Sequence, residues 1–426
     1  MLLFFIALLP AIAVALILRT APRFTFALWV SVLFFVPVWV GVSAGYFFTA
    51  ITAVTLLCLA AGSLRGMRWT TLDSIVLLFA LLISASLLLG GVQLGHFLTA
   101  VVSWMVPYAW GRIALARLSI EFITSAIAVA TVVAAVLGLF EFVSGVNIFT
   151  FIHFDNSAYD LWAPLQSRAG LLRAEGAFGH SIAFGAALSI GSVFTLAARW
   201  HLALRIIALA VIGAAIVATF SRIGMVGFVL GLLLSIAFLG RVLAPQVRAL
   251  IAVLAIAGAF VAVPFVTDVL VTAGTEAEGS ALYRVDLLAL LSYMSPLGIS
   301  PNYHVLANGQ VYVGTFQSID SELLLLGVQF GYIPLVLVLI ALTAAIVLLF
   351  KTRANIALVA FVAQIPTLAT VALITQLPYL LWFVAGLGVS FYILESKLPH
   401  AGGDSTVWAA DDSVGRDRAW LSRTTL

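Results

Sequence analysis

Apolar runs long enough to cross a bilayer recur along nearly the whole chain, and they restrict its fold more than any other feature. A helix needs about 20 residues to cross the hydrocarbon core, and the bilayer requires its backbone hydrogen bonds to be satisfied within that helix. The runs therefore predict an all-α, polytopic membrane protein. The candidate spans are residues 2–18, 25–41, 44–62, 72–90, 95–111, 119–143, 180–198, 203–220, 222–240, 248–267, 321–350, 355–372 and 376–394. The second and third runs are either two short spans or one bent hairpin, which gives about 12–13 transmembrane helices.

The composition supports the same class, because 64% of the 426 residues are hydrophobic and only 9% are charged. A soluble core cannot absorb that much apolar surface. The net charge of +3 gives no sign of nucleic-acid binding. The single cysteine, Cys58, lies in an apolar run, where we expect a small core residue. The first run, Met1 to Leu18, lacks a basic start and a convincing cleavage site, so we interpret it as a retained span.

The loops alternate between basic and poorly basic ones, and basic loops stay in the cytoplasm. This pattern predicts that residues 144–179 and 268–320 form two large extracytoplasmic loops. It also predicts a membrane domain over 1–394 and a disordered cytoplasmic tail over 395–426. The basic residues of the loops assigned to the inside are Arg19 and Arg23, Arg65 and Arg68, Arg112 and Arg117, Arg199 and Arg205, Arg241 and Arg248, and Lys351 and Arg353.

Four arginines lie in or beside the loops assigned to the extracytoplasmic side, where lysine and arginine are normally rare. They are Arg168, Arg173, Arg222 and Arg284. A guanidinium group keeps its charge and binds phosphate through two parallel hydrogen bonds. Several of them at an external membrane surface indicate an anionic, lipid-linked substrate. Aromatic residues are interleaved with polar ones in the same loops, which suits sugar binding but is also typical of an interfacial aromatic belt.

The stretch from Arg173 to His180 ends where an apolar run begins. A functional interpretation gives Arg173 a phosphate contact and His180 a hydrogen bond or a proton transfer. The structural alternative is a helix entry with Ser181 as its cap. Arg222 lies between two apolar runs with almost no loop around it, and an ionised group there is usually paired or functional. The alternative is an arginine that reaches the lipid headgroups.

Arg284 and Asp320 lie in or beside the second external loop. Arg284 is either a substrate contact or the partner of a nearby carboxylate, Asp286 or Glu278. Asp320 precedes a long apolar run and is a good candidate for a helix cap. A carboxylate at a dry helix start can also act as a general base. The chain contains neither a phosphate-binding Gly-x-x-x-x-Gly-Lys loop nor a His-Glu-x-x-His motif, so we expect no cofactor and no metal.

These segments, in this order, resemble the O-antigen ligase and O-antigen polymerase superfamily, which are integral-membrane glycan transferases of bacterial envelopes. The resemblance covers roughly residues 138–350. The matching segments are Gly138 to Asn147, Arg173 to Phe184, Ser221-Arg222-x-Gly224, Arg284 with the downstream Pro296-x-Gly298, and Asp320 to Gly331.

The resemblance implies a GT-C-like fold and metal-independent, inverting glycosyl transfer at the outer face of the bacterial cytoplasmic membrane. The donor would be a glycan on undecaprenyl diphosphate, and the acceptor a glycan or a lipid. Arg173, Arg222 and Arg284 match the family's arginines and would hold the diphosphate. The base would be Asp320, where ligases have histidine, and this difference favours a polymerase. His180 and Glu175 remain rival bases.

Two other classes stay open at this point. An O-antigen-type ligase is the alternative within the same family, and a transporter or flippase of lipid-linked sugars is a different class that would also have many spans and buried arginines. A transporter predicts polar residues through the spans, whereas the middle of each run is nearly free of charge, with Glu141 near one end. A non-catalytic scaffold leaves the external arginines unexplained. The sequence therefore favours a site on one side of the membrane.

Overall fold

The computed structural model describes residues 12–64, 67–168, 170–240, 245, 247–249, 252, 283, 286–305, 311–351 and 354–396, the last three as backbone only. These residues are mostly helical. Most of the predicted span 248–267, residues 268–282, 284–285 and 306–310 of the loop 268–320, and the tail from residue 397 lie outside the described residues.

The described helices are numbered here in chain order. They are α1 (Ile12–Thr20), α2 (Pro22–Phe35), α3 (Ala50–Ala61), α4 (Thr71–Leu88), α5 (Leu94–Thr99), α6 (Val106–Ala114), α7 (Ile120–Ser144), α8 (Ser157–Trp162), α9 (Ser181–Ala197), α10 (Leu202–Ala218), α11 (Arg222–Phe238), α12 (Glu322–Phe330), α13 (Tyr332–Phe350), α14 (Ile356–Val362), α15 (Ile365–Thr370) and α16 (Leu377–Ser396). A π-helical segment (Ala100–Met105) joins α5 to α6, and short 3₁₀ helices occupy Ile148–Phe151, Gly176–Phe178 and Leu287–Tyr293.

Three antiparallel hairpins complete the described structure. They pair β1 (Gly41–Ser43) with β2 (Phe47–Thr49), β3 (Ser167–Arg168) with β4 (Leu171–Leu172), and β5 (Tyr303–Val305) with β6 (Val311–Val313). The first hairpin connects α2 to α3, so the predicted runs 25–41 and 44–62 are two separate helices.

Three of the described helices, α4, α7 and α13, are long and apolar enough to cross a membrane. The pair α1 and α2, bent by 117°, counts as a fourth if it forms one broken span. Other apolar helices, including α9, α10 and α11, are shorter than 18 residues. The fold is thus compatible with an all-α membrane protein, and the number of spans remains a prediction.

Helix α9 forms the centre of the bundle, because every residue from Ala183 to Ala197 is buried. Small residues let its neighbours approach closely, as is common between membrane helices. A Cβ atom added to Gly224 on α11 would lie 3.1 Å from the backbone of Gly185 on α9. This close packing fixes the start of α11 beside the start of α9.

The predicted span 321–350 is interrupted, and this correction has a local cause. Gly331 adopts φ +96°, a conformation that favours glycine and ends α12. The amide of Gly298 donates to the carbonyl of Phe330 at 2.8 Å, and that of Tyr332 donates to Ser295 at 2.9 Å. The Pro296-x-Gly298 segment therefore supports the break between α12 and α13. An apolar run looks the same in sequence whether its helix continues or turns.

The predicted span 355–372 is likewise divided into α14 and α15. Pro366 lies in the first turn of α15, where its missing N–H costs little. Gln364, in the break, donates through its amide to Ser189 on α9 at 2.8 Å. The side-chain hydrogen bond ties the interrupted segment to the central helix.

A buried ion pair fastens one end of the bundle. Arg112 and Asp73 form two parallel hydrogen bonds of 2.7 and 2.9 Å. Arg112 also donates to Ser390 and to the carbonyl of Arg68, and the hydroxyl of Tyr108 donates to Asp73. We call this the Arg112 end. The opposite end, called the loop end, carries the first hairpin, residues 145–180, residues 219–221 and residues 371–376.

We predict that Arg112→Ala lowers the free energy of unfolding by about 3–5 kcal/mol, because it leaves the buried Asp73 carboxylate without its cation. Thermal unfolding in detergent measures the loss. The matched control is Glu121→Gln, which removes the half-exposed ion pair of Glu121 with Arg199 and should cost at most about 1 kcal/mol. Equal losses in both variants would contradict the structural role of the Arg112 pair.

Candidate active site

The junction between α10 and α11 is a tight, strained turn at the loop end. Phe220 has φ +47°, which is unusual for a residue with a large side chain. Ser221 caps α11 by accepting from the amide of Gly224 at 3.1 Å, and its own amide donates to the Thr219 hydroxyl. Strained backbone of this kind persists only where its surroundings hold it, and it is common at functional sites.

Two arginines from the first large loop bind the backbone of this junction. Arg173 donates through Nε to the carbonyl of Thr219 at 2.8 Å, and Arg168 donates through Nη1 to that of Phe220 at 3.1 Å. Arg222 follows the cap of α11 directly and is exposed. We call Arg168, Arg173 and Arg222 the arginine cluster. Three of the four arginines singled out by their position in the sequence thus lie at one helix junction, two through hydrogen bonds to it and Arg222 as the first residue of α11.

Arg173 is the most enclosed member of the cluster, with 8% of its surface exposed. Burial lowers the pKa of its guanidinium to about 10, and the charge of Arg168 lowers the pKa further, while Glu175 opposes the change. The group therefore stays charged at neutral pH. Its Nη1 also donates to the amide oxygen of Gln166 at 3.4 Å.

The fourth arginine, Arg284, lies outside the described residues. Its neighbour Tyr283 is described, and the tyrosine hydroxyl donates to the carbonyl of Ser318. Ser318 in turn donates to Asp320 at 3.1 Å. The chain next to Arg284 is therefore connected to the segment that carries Asp320. The predicted pairing of Arg284 with Asp286 or Glu278 also falls outside the described residues.

Glu175 is fully buried beside the cluster. Its Oε1 accepts from the amide of Gln166 at 2.9 Å, and its Oε2 has no hydrogen-bond partner within the described residues. Burial raises the pKa of Glu175 to about 7 despite that hydrogen bond, and the nearby Glu141 raises it further while Arg173 lowers it. Glu175 can hold a proton, but its burial separates it from any substrate in this conformation.

Glu141, at the end of α7, organises the loop around Glu175. Its carboxylate accepts from the amides of Glu175 and Gly176 and from the side chain of Asn147. Gly176 has φ +55°, so the turn depends on a glycine there. The Glu141 and Asn147 side chains thus position the loop that carries Arg173 and Glu175.

His180 caps α9, whereas the sequence suggested Ser181 for that role. The Nδ1 atom of His180 accepts from the amide of Ile182 at 3.2 Å, and Ser181 donates to Gln166 instead. Burial and the charge of Arg173 lower the pKa of His180 to about 4. The imidazole is therefore neutral at neutral pH, and it is a weak base.

Asp320 does not cap α12, which corrects the suggested capping role. Ser321 is the cap and accepts from the amide of Leu324 at 3.3 Å. The Asp320 carboxylate is partly exposed and accepts from Ser318. Among the described residues, no hydrogen bond or ion pair joins Asp320 to the arginine cluster. Helix α15 packs against both α11 and α12 and so connects the two groups.

Glu322, Thr375 and Gln376 are polar residues at this end that the sequence did not single out. The Glu322 carboxylate is buried and accepts from the amide of Leu373 at 2.7 Å. Thr375 has φ +57°, and its hydroxyl and the side-chain oxygen Oε1 of Gln376 have no partner in the described part of the chain. In the sequence, Thr375 and Gln376 form a polar pair inside the apolar stretch 371–381, and this interruption could have indicated those two residues.

The described residues contain no group of three or more His, Cys, Asp or Glu side chains arranged to hold a metal ion. At the loop end, Arg168, Arg173 and Glu175 lie near the junction of α10 and α11, while the Asp320 carboxylate accepts from Ser318 on a separate segment. This arrangement can bind an anion at the arginines and accept a proton at Asp320.

Comparisons with known proteins identify no family for this chain. No family model matches the sequence, and neither the curated proteins nor the solved structures contain a match. The resemblance to O-antigen ligases and polymerases therefore remains a prediction. The functional interpretation depends on the residues described above.

We predict that Glu175→Gln reduces the pH dependence of stability. Because the folded state raises the pKa of Glu175 from 4.5 to about 7, stability should fall as pH rises between those values. The effect is about 1.4 kcal/mol for each pKa unit of difference. The glutamine variant should lose less stability than the wild type between pH 4.5 and pH 8 in thermal unfolding.

The control for this experiment is Asp155→Asn, which removes an exposed carboxylate from the same loop. Its stability should follow the wild-type pH profile. An unchanged profile in Glu175→Gln would mean that Glu175 does not titrate in this range.

Proposed function

We propose that this chain is a membrane-embedded glycosyltransferase that transfers a glycan from a lipid diphosphate to an acceptor hydroxyl. The observation that carries the proposal is the convergence of Arg168, Arg173 and Arg222 on one helix junction. Three cations and the N-terminus of α11 form a site with the charge and hydrogen-bond donors that a diphosphate needs.

In this proposal the loop end faces the outside of a bacterial cytoplasmic membrane, and the chain crosses the bilayer about 12–13 times. The donor is a glycan on undecaprenyl diphosphate, and membrane lipids surround the spans. The external position fits the basic loops at the other end. Arg173 and Arg222 stabilise the diphosphate as it leaves, and Arg284 is the proposed third contact.

The reaction is an inverting, metal-independent displacement. The acceptor hydroxyl attacks the anomeric carbon, the bond from that carbon to the diphosphate oxygen breaks, and the hydroxyl proton passes to a base. Asp320 is the preferred base, because its carboxylate is partly exposed and does not cap a helix. Glu175 and His180 position the loop and the helix start beside the arginine cluster. Glu175 is fully buried, and His180 is a neutral residue that caps α9.

A polymerase is preferred over a ligase, because the base is aspartate rather than histidine. The other candidate is a flippase of lipid-linked sugars. Against it, the buried pair Asp73–Arg112 already has its hydrogen bonds satisfied, and the cavity between α4, α13, α14 and α16 has an apolar lining. These observations favour chemistry at one end of the bundle over a polar route through it.

We predict that Arg222→Ala lowers glycan transfer at least about 100-fold, because it removes a cation aimed at the leaving diphosphate. Arg222 is exposed, so the variant should fold and insert normally. The assay uses protein in liposomes with radiolabelled lipid-linked oligosaccharide, and it separates long polymer, a single transferred glycan and translocation. Arg199→Ala, on a loop with the opposite orientation, is the control.

Long polymer from the wild type supports the polymerase, and a single transfer supports the ligase. Translocation without a new glycosidic bond would contradict the enzyme proposal. Full activity in Arg222→Ala would mean that the arginine cluster is not part of the active site.

We predict that Asp320→Asn is also inactive, since an amide cannot take the acceptor proton. Ser318→Ala is the matched control, because it removes only the hydroxyl that donates to Asp320. That variant should keep most of its turnover in the same assay. Retained turnover in Asp320→Asn would assign the base to another group and make Asp320 a structural residue.

A further inference from the structure

A cavity among the described helices lies between α4, α13, α14 and α16, away from the arginine cluster. It encloses about 110 Å³ and is lined by aliphatic and aromatic side chains. We call it the lateral groove. Two of its walls, α4 and α13, belong to the three helices that are long enough to cross a membrane.

Small residues at helical spacing create the groove. Ala341 and Ala345 lie one turn apart on α13, and the lining contributed by α16 includes Ala385 and Gly388. Larger side chains, including Phe79 and Trp104, also line it, and both rings pack against Phe330. The small volume and the mixture of small and bulky apolar residues suit a thin, flexible apolar ligand.

The length of the groove matches one leaflet of a bilayer. Its lining on α13 extends from Leu337 to Leu348, which at a rise of about 1.5 Å per residue is roughly 16 Å. The hydrocarbon core of a whole bilayer is about 30 Å thick. The outer surface of the same wall carries Leu339 and Ile340, which are more than one third exposed and so face hydrocarbon in a membrane.

The groove reaches the Arg112 end of the bundle. Its lining includes Leu72, in the first turn of α4. Just before that helix lie Arg68 and Trp69, which are both exposed. An exposed cation beside an exposed tryptophan is typical of the headgroup level, where basic and aromatic side chains meet lipid headgroups.

We propose that the lateral groove binds one acyl chain of a phospholipid from the leaflet at the Arg112 end, with the headgroup beside Arg68. The occupant is distinct from the lipid-linked substrate, because the arginine cluster lies at the opposite end of the bundle. The proposal therefore stands independently of the proposed function. The bound chain fills the space between α4 and α13 and stabilises their packing.

Native mass spectrometry tests this proposal on the full-length protein in detergent, with dipalmitoyl phosphatidylglycerol added as the probe. The wild type should retain one phospholipid. Ala341→Phe places a ring in the groove and should lower the occupancy of the bound lipid about tenfold or more, because the ring displaces several methylene groups of the acyl chain. Ala385→Leu fills the groove from the opposite wall and should have the same effect.

The matched control is Val347→Phe, which adds the same ring to α13 at a position that is 42% exposed and outside the groove. It should retain the lipid as the wild type does. Thermal unfolding confirms that each variant is folded before occupancy is compared. A wild type without bound phospholipid, or equal occupancy in the groove and control variants, would overturn the proposal.

Discussion

The loop end depends on the hydrogen bonds between the first large loop and the junction of α10 with α11. Arg173 donates through its side chain to the carbonyl of Thr219, and the amide of Ala174 donates to the carbonyl of Ala218. These two bonds hold the first large loop and the strained turn at Phe220 against each other. The close contact of Gly185 with Gly224 then fixes the start of α11 against the central helix. Arg222 owes its place beside the loop arginines to these contacts. Without them, the three cations would have no common position.

Bilayer physics explains why polar chemistry gathers at the two ends. A charged side chain in the hydrocarbon region is costly, so cations and carboxylates collect where irregular backbone can bind them. At the Arg112 end, the buried pair is saturated with hydrogen bonds and holds helices together. At the loop end, several polar atoms lack partners, among them Glu175 Oε2 and Gln376 Oε1 within the described chain. Within the described chain, buried polar atoms without partners also occur toward the Arg112 end, among them Trp110 Nε1 and Thr124 Oγ1. The strained turn at Phe220 and the arginines bound to it therefore mark the loop end as the candidate site.

Sequence periodicity predicted the mostly helical class, and the charge pattern singled out Arg173 and Arg222, which the structure places at one helix junction. Neither pattern predicted the breaks at Gly331 and Gln364, because an apolar run carries no sign of whether its helix turns. Caps were also misassigned at His180 and Asp320, since several neighbouring side chains can accept the same amide. The Asp73–Arg112 pair was missed because Arg112 was already explained as a basic residue of a cytoplasmic loop. Partnerships between distant residues depend on packing, which one sequence does not reveal.

The central claim is that the arginine cluster holds a diphosphate. Equilibrium binding of undecaprenyl diphosphate to the reconstituted protein tests it most directly, with undecaprenyl monophosphate and the Arg222→Gln variant as comparisons. We expect tight binding of the diphosphate that weakens about tenfold or more in the variant and with the monophosphate. Equal affinity for both lipids, or no effect of Arg222→Gln, would contradict the account.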